Sequence, residues 1–205
     1  GLLNVMLERQ DVQVVAVADP NAGNRDACAK KIKDKHGNTP EFYTGPEDYR
    51  KLLQREDVDA VFSALPCDMH GPVYLECFAH GKHFYGEKPM CIRADEAKLL
   101  VEAQRRNPAV VGQIGFQRRG SERYQNGIKM IHDGVIGDPI DGRAAWNNSW
   151  GPLGLPKDGD RVWLGRRKRS GDWMLEQACH SFDVLNWVAG ALPEAVLEDL
   201  ISQVR

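Results

Sequence analysis

Four short β-type runs, residues 12–18, 58–65, 83–85 and 110–116, are separated from one another by stretches of helical composition. A chain that alternates in this way has few ways to bury its strands. Each crossover between parallel neighbours needs a dozen or more residues and fits a helix, so the pattern points to a parallel sheet wound on both faces. The third run ends at Gly86-Glu87-Lys88-Pro89. Pro89 can donate nothing to a ladder and pushes Lys88 into an extended conformation, so the strand stops and Lys88 stands at its carboxyl edge. Open parallel sheets bind ligands at that edge. Taken alone, the tetrapeptide reads more simply as a solvated Glu–Lys pair at a strand end.

Composition removes several function classes. Over 205 residues, 42% are hydrophobic and 27% charged, an ordinary globular balance with length for one large domain or two modest ones. The net charge of -2, with Lys and Arg scattered, offers no basic stripe to nucleic acid or an anionic membrane. No apolar run approaches the ~20 residues of a membrane-spanning helix, and the first five residues carry no basic leader or cleavage signature. The five cysteines, Cys28, Cys67, Cys77, Cys91 and Cys179, are odd in number and irregularly spaced, which suggests small buried thiols in place of a disulfide framework or zinc site. His80 and His83 fall across a helix-to-strand turn with no cysteine or carboxylate at ligand spacing, so no metal is expected.

Along the chain, Leu2, Leu3, Met6 and Leu7 make an apolar stripe at helical spacing before the first β-type run, which ends at Asp19-Pro20. An acidic residue at the end of the second strand of a βαβ unit is where dinucleotide-binding folds accept the ribose hydroxyls. Asp19 stands at that place, although Asp-Pro-Asn is equally good turn and helix-cap chemistry. The glycine turn that should precede Asp19 by roughly 20 residues is not in the sequence, so the chain reads as lacking strand one and the pyrophosphate cradle. Helices are expected over 22–33, over 46–53 with Pro46 in its first turn, over 71–79 and over 95–105.

Four groups of residues carry a family resemblance. They are Ala18-Asp19-Pro20; Asp57-Val58-Asp59-Ala60-Val61 leading to Pro66 and His70; Gly81-Lys82-His83 leading to Glu87-Lys88-Pro89; and Gly115-Phe116-Gln117-Arg118-Arg119. In order and spacing the chain resembles the Gfo/Idh/MocA oxidoreductases over nearly its whole length. The resemblance implies an α/β fold: a doubly wound parallel Rossmann sheet lacking its first strand over 1–117. Over 118–205 it implies the start of an α+β domain with an open, mostly antiparallel sheet. NAD, with NADP the weaker alternative, would be the cofactor of a dehydrogenase acting on a sugar, cyclitol or polyol, in a full-length protein that forms a homo-oligomer. Some relatives are exported, and a signal for export would lie ahead of Gly1. Asp19, Ser63, Leu65, Pro66, His70, Glu87, Lys88 and Gln117 would line the cofactor.

In the second part, a helix is expected over 121–132, capped by Ser121 and ended by Gly134, then a strand over 140–150 and a loop over 151–171. The loop holds Arg166-Arg167-Lys168-Arg169, a run that is more often a solvated face than a phosphate site. On a helix over 173–187, Glu176, His180, Asp183 and Trp187 fall on one face, and a carboxylate one turn before a histidine can fix its orientation. A surface Glu–His pair explains the same spacing. The resemblance implies an Asp-x-x-x-His catalytic pair here, so Glu176 and His180 would inherit its role, joined by Lys88 as the catalytic cation. Glu176 replaces the usual Asp and Ala178 a common glycine. Arg119, Gln177 and Asp183 would meet substrate. Residues 195–204 look helical where the family would have a strand. Relatives also include glycosidases that use bound NAD for transient oxidation and elimination, and a non-catalytic protein retaining the fold is the third alternative.

The negative charge of Asp19 repels a 2′-phosphate and no arginine immediately follows it. The full-length protein should therefore show higher catalytic efficiency with NAD than with NADP; the reverse order in steady-state kinetics would reject Asp19 as the ribose acceptor.

Overall fold

In the computed structural model, which describes residues 2–145 and 162–193, the strand-like runs pair in parallel as their alternation requires. Strand β1 (Ala16–Ala18) lies beside β2 (Glu41–Tyr43), with Ala16 opposite Glu41. A second ladder runs in the order β3 (Ala60–Ser63), β4 (His83–Gly86), β5 (Gly112–Ile114). Among the described residues no strand joins the two ladders. Strands β1, β3 and β5 are shorter than their apolar runs, because ladder bonds form only where a partner lies opposite. Strand β2 was not expected: Glu41-Phe42-Tyr43 is too short to show a period, and its pairing with β1 makes it a strand.

Five helices connect and flank these strands: α1 (Leu2–Met6), α2 (Ala22–His36), α3 (Tyr49–Leu53), α4 (Cys67–Ala79) and α5 (Ala94–Arg106). Helix α2 opens on Asn21, whose side chain accepts from the Asn24 amide at 3.1 Å, and closes on Gly37 at φ 73°, where the glycine N–H meets Lys33 O. Helix α4 begins four residues before the expected position and carries Pro72 in its interior. The proline removes one backbone bond, yet the helix continues because Cys67, His70, Val73, Tyr74, Cys77 and Phe78 on its inner face are all buried.

That face meets the β3–β4–β5 ladder in the larger core, with Leu52, Leu53, Val58, Leu100 and Val110. Tyr74 stacks on Phe84 at 4.8 Å between ring centroids and Phe78 meets the same ring edge-on at 5.2 Å. A smaller cluster of Leu7, Val14 and Ile32 packs α1 and α2 against the start of β1. Cys67 and Cys77 belong to the core, and burial pushes the Cys77 thiol up to about 12. The other three cysteines are only half-buried, short of the burial expected of them.

The molecule divides into two compact units, Gly1–Ile114 and Gly115–Arg205. The second contains a 3₁₀ turn (Gln117–Gly120), α6 (Glu122–His132), a 3₁₀ turn (Val162–Gly165), α7 (Arg167–Ser170), a π-turn (Met174–Ala178) and α8 (Cys179–Ala189). Ser121 takes the extended N-cap conformation before α6, but its hydroxyl makes no cap bond. His132 sits at the other end, with Nε2 3.0 Å from Trp187 O and 3.2 Å from Val188 O, so α6 holds the terminal carbonyls of α8. The strand expected over 140–150 is not formed by residues 140–145, where Ile140 is 99% exposed and no ladder partner lies alongside among the described residues. Residues 146–150, most of the 151–171 loop and the 195–204 tail lie outside the described residues.

Two glycines permit the tight packing around β4. A Cβ at Gly86 would stand 2.1 Å from Tyr74 Oη, and one at Gly112 would stand 2.4 Å from Phe84 Cζ. Tyr74 is fully buried and cannot retreat. Gly86→Ala should therefore lower stability by about 1–3 kcal/mol, the cost of overpacking, read as an earlier midpoint in urea unfolding. An unchanged midpoint would contradict the close approach.

Candidate functional site

Because β3 and β4 are parallel, they release their chains at one edge, and β1 releases Asp19 at its own carboxyl end. Asp19 leaves β1 with its amide on Tyr43 O at 3.1 Å. Its carboxylate accepts from the Asn21 amide at 2.7 Å through one oxygen and from Asn24 Nδ2 at 3.0 Å through the other. It is half-buried, and each oxygen keeps acceptor capacity beyond its single bond. The cap and ribose readings of this residue are thus compatible: it organises the start of α2 and still presents acceptors at the strand end.

Ser63, buried, ends β3, and Leu65 and Pro66 lead from it into α4. The Glu87 amide donates to Ser63 O at 3.1 Å, which continues the ladder by one bond and sets Glu87 and Lys88 immediately beyond the strand ends. The Lys88–Pro89 peptide is cis. Glu87 and Lys88 are half-buried and Pro89 is buried. Tyr74 Oη donates to Glu87 O at 3.0 Å, a contact that sequence reasoning missed although Tyr74 lies one turn beyond His70 on α4. Burial pushes the Tyr74 hydroxyl well above the usual phenol range, so it stays a donor.

His70 departs from expectation. The family resemblance implies a place among the cofactor-lining residues, but its ring is 1% exposed and faces backbone: Nδ1 lies 2.6 Å from Pro89 O and Nε2 2.9 Å from Leu65 O. Both nitrogens are engaged inside the fold. His80 and His83 are likewise committed, to Glu76 O and the Val111 amide, and among the described residues no group of His, Cys, Asp and Glu could hold a metal ion.

The second unit gathers a separate set of residues. Gln117 is exposed on the 3₁₀ turn. Arg119, two residues later, forms a two-pronged ion pair with Asp183: Nε lies 2.8 Å and 3.0 Å from the carboxylate oxygens and Nη2 2.7 Å from one of them. The guanidinium also sits 5.0 Å from the Trp187 ring. These two residues, expected to meet substrate, pair with each other and tie the 3₁₀ turn to α8.

The π-turn alters the face on which Glu176 and His180 are expected to align. In an α-helix residues four apart superpose, whereas a π-turn bonds i to i+5 and rotates the residues before it relative to those after it. Gln177 turns inward with His180, at 8% and 2% exposure, and its amide donates to the half-buried Glu176 carboxylate. Phe116 meets the His180 ring edge-on at 6.1 Å between centroids. Gly171 and Asp172, both at positive φ, deliver the chain into this turn. The basic run ahead of it forms the short α7, and no helix among the described residues is long and apolar enough to cross a membrane.

A family model described as an oxidoreductase family with an NAD-binding Rossmann fold matches residues 2–114, and the model of the corresponding C-terminal domain matches 124–204. Among curated proteins, a glycosyl hydrolase family 109 protein of Shewanella sp. strain MR-4 is 28% identical over 138 residues, covering 67% of this chain and 30% of the relative. One from Saccharopolyspora erythraea is 29% identical over 150 residues, 71% of this chain and 32% of its own. The chain thus matches under a third of their length. A scyllo-inositol dehydrogenase from Lactobacillus casei, solved with bound NAD(H) and scyllo-inositol, superposes with a TM-score of 0.69 at 21% identity, over 92% of this chain and 52% of that one. At that identity the likeness shows the fold.

The Arg119–Asp183 pair should show a coupling of about 1 kcal/mol in a double-mutant cycle on thermal unfolding, above the ordinary exposed pair because it is two-pronged and Asp183 is largely covered. Additive losses for Arg119→Ala and Asp183→Ala would show that the pair does not hold the turn to α8.

Proposed function

The chain belongs to the GFO/IDH/MocA oxidoreductase family, and we propose that the protein transfers a hydride between nicotinamide and a hydroxyl of a sugar, cyclitol or related polyol. The observation that carries this reading is the Glu87 amide on Ser63 O, which sets Lys88 at the carboxyl edge of a parallel sheet in an NAD-binding family. NAD, when bound, supplies the hydride acceptor. Asp19 has the acceptor capacity to take the ribose hydroxyls, and Ser63, Leu65, Pro66 and Glu87 form the strand-end line along which the cofactor would lie. Gln117, exposed after β5, would meet nicotinamide or substrate.

The chain's own groups then carry the proton. We assign Lys88 as a cation that favours alkoxide character and His180 as a proton acceptor. Glu176 and Gln177, bonded to each other within the π-turn, orient the His180 environment. Arg119 and Asp183 support the turn in this reading.

A second reading is favoured by the names of the curated relatives, glycosyl hydrolase family 109 proteins. It uses the same residues for transient oxidation of a glycoside followed by elimination of the aglycone, addition of water and re-reduction, so the cofactor would return to its starting state. Incubating the full-length protein with free polyols and with glycosides separates the two: net NADH supports the dehydrogenase, and sugar release without net cofactor change supports the glycosidase. Under either reading Lys88→Ala should lower turnover at least about a hundredfold while NAD binding persists. Unchanged turnover in that variant would overturn the role of Lys88.

A further inference from the structure

Helix α4 reaches the Lys88 turn with two side chains one helical turn apart. Tyr74 holds Glu87 O at 3.0 Å and His70 holds Pro89 O at 2.6 Å, so the carbonyls on either side of Lys88 are both anchored to one helix. The His70 ring stacks on Tyr74 at 5.6 Å and makes its other contact, at 2.9 Å, with Leu65 O in the segment leaving β3. We propose that His70 is a positioning residue for Lys88, a buried two-point clamp that fastens the Glu87–Pro89 turn to the exit of β3. The inference rests on the catalytic reading of Lys88 for its consequence, but not for the clamp itself.

The chemistry of the clamp is set by its partners. Backbone carbonyls only accept, so a ring nitrogen that carries a proton donates to whichever of Leu65 O and Pro89 O it faces. The groups around the ring are the Tyr74 hydroxyl on its own helix, with Cys67 three and Asp68 two residues before His70, and Glu87 and Lys88 on the turn it holds. Glu96 faces α4 from α5, its carboxylate 2.9 Å from where a Cβ of Gly71 would stand. Removing the ring would leave both carbonyls without this partner inside the fold, a state the packed site disfavours.

The test needs no substrate in its first arm. With nitrogen-15 histidine in the full-length protein, a slowly exchanging ring N–H that His70→Gln removes should be seen; its absence would overturn the clamp. In His70→Phe, which keeps a ring against Tyr74 but has no donor, amide hydrogen exchange at Glu87 and Lys88 should quicken roughly tenfold while α2 keeps its protection. Unchanged exchange in a folded variant would overturn it equally, and His70→Gln serves if the phenylalanine variant does not fold. In the second arm, on whichever reaction the protein performs, kcat should fall roughly tenfold to a hundredfold with the KM for NAD nearly unchanged. Faster exchange with a wild-type kcat would leave a structural clamp and reject positioning. Absence of any turnover in the wild type would defeat the functional reading, and the first arm would still decide the clamp.

Discussion

The contact on which the first unit depends is Tyr74 lying flat against the end of β4, where Gly86 has no side chain to hold it away. Its ring joins Phe84 and Phe78 in the core, and its hydroxyl emerges on Glu87 O. A single buried side chain therefore connects the hydrophobic driving force to the position of a polar turn. Fully burying a ring of this size contributes a few kcal/mol, about 1.5–3 on the scale of large apolar side chains. The hydroxyl must then find an acceptor, because an unmet donor at that depth would offset much of the gain. The turn at Glu87 supplies the acceptor, and so core packing and site geometry are one constraint.

Parallel register does the rest within that unit. Ser63 opposes Gly86, and the Glu87 amide extends the ladder to Ser63 O, so the chain leaves both strands at the same level. Asp19 leaves β1 at its own carboxyl end and braces the Asn21 turn ahead of α2 with bonds that use only part of its acceptor capacity. No single element forms the edge of the β3–β4–β5 ladder; it is the sum of strands that point one way.

In the second unit a different device sets the geometry. The π-turn over Met174–Ala178 rotates Gln177 inward beside His180, and the Arg119–Asp183 pair with Trp187 fastens α8 to the 3₁₀ turn after Phe116. π-Turns insert one residue into a helical repeat and are tolerated where neighbouring contacts hold them. Gly171 and Asp172 at positive φ start the segment off the α-helical path.

The alternation of apolar runs with helical stretches, the stop at Pro89 and the acidic strand end at Asp19 were legible in the sequence, because they depend on local dihedral preference and on hydrophobic period. The family and its cofactor were legible too, from motif order and spacing. The short β2, the early start of α4 and the half-burial of three cysteines were not, since each is decided by what lies opposite in space. The same holds for His70, whose spacing from Pro66 marked it as important while its ring turned out to face Leu65 and Pro89 carbonyls. Arg119 and Asp183 stand 64 positions apart, and no local pattern couples them. Sequence alone determined the alternation of strand and helix in the first unit and which side chains sit at the ends of β1, β3 and β4. Only the tertiary structure decided which of those side chains face outward and which are consumed in holding the others, because a hydrogen bond is assigned by the position of its partner.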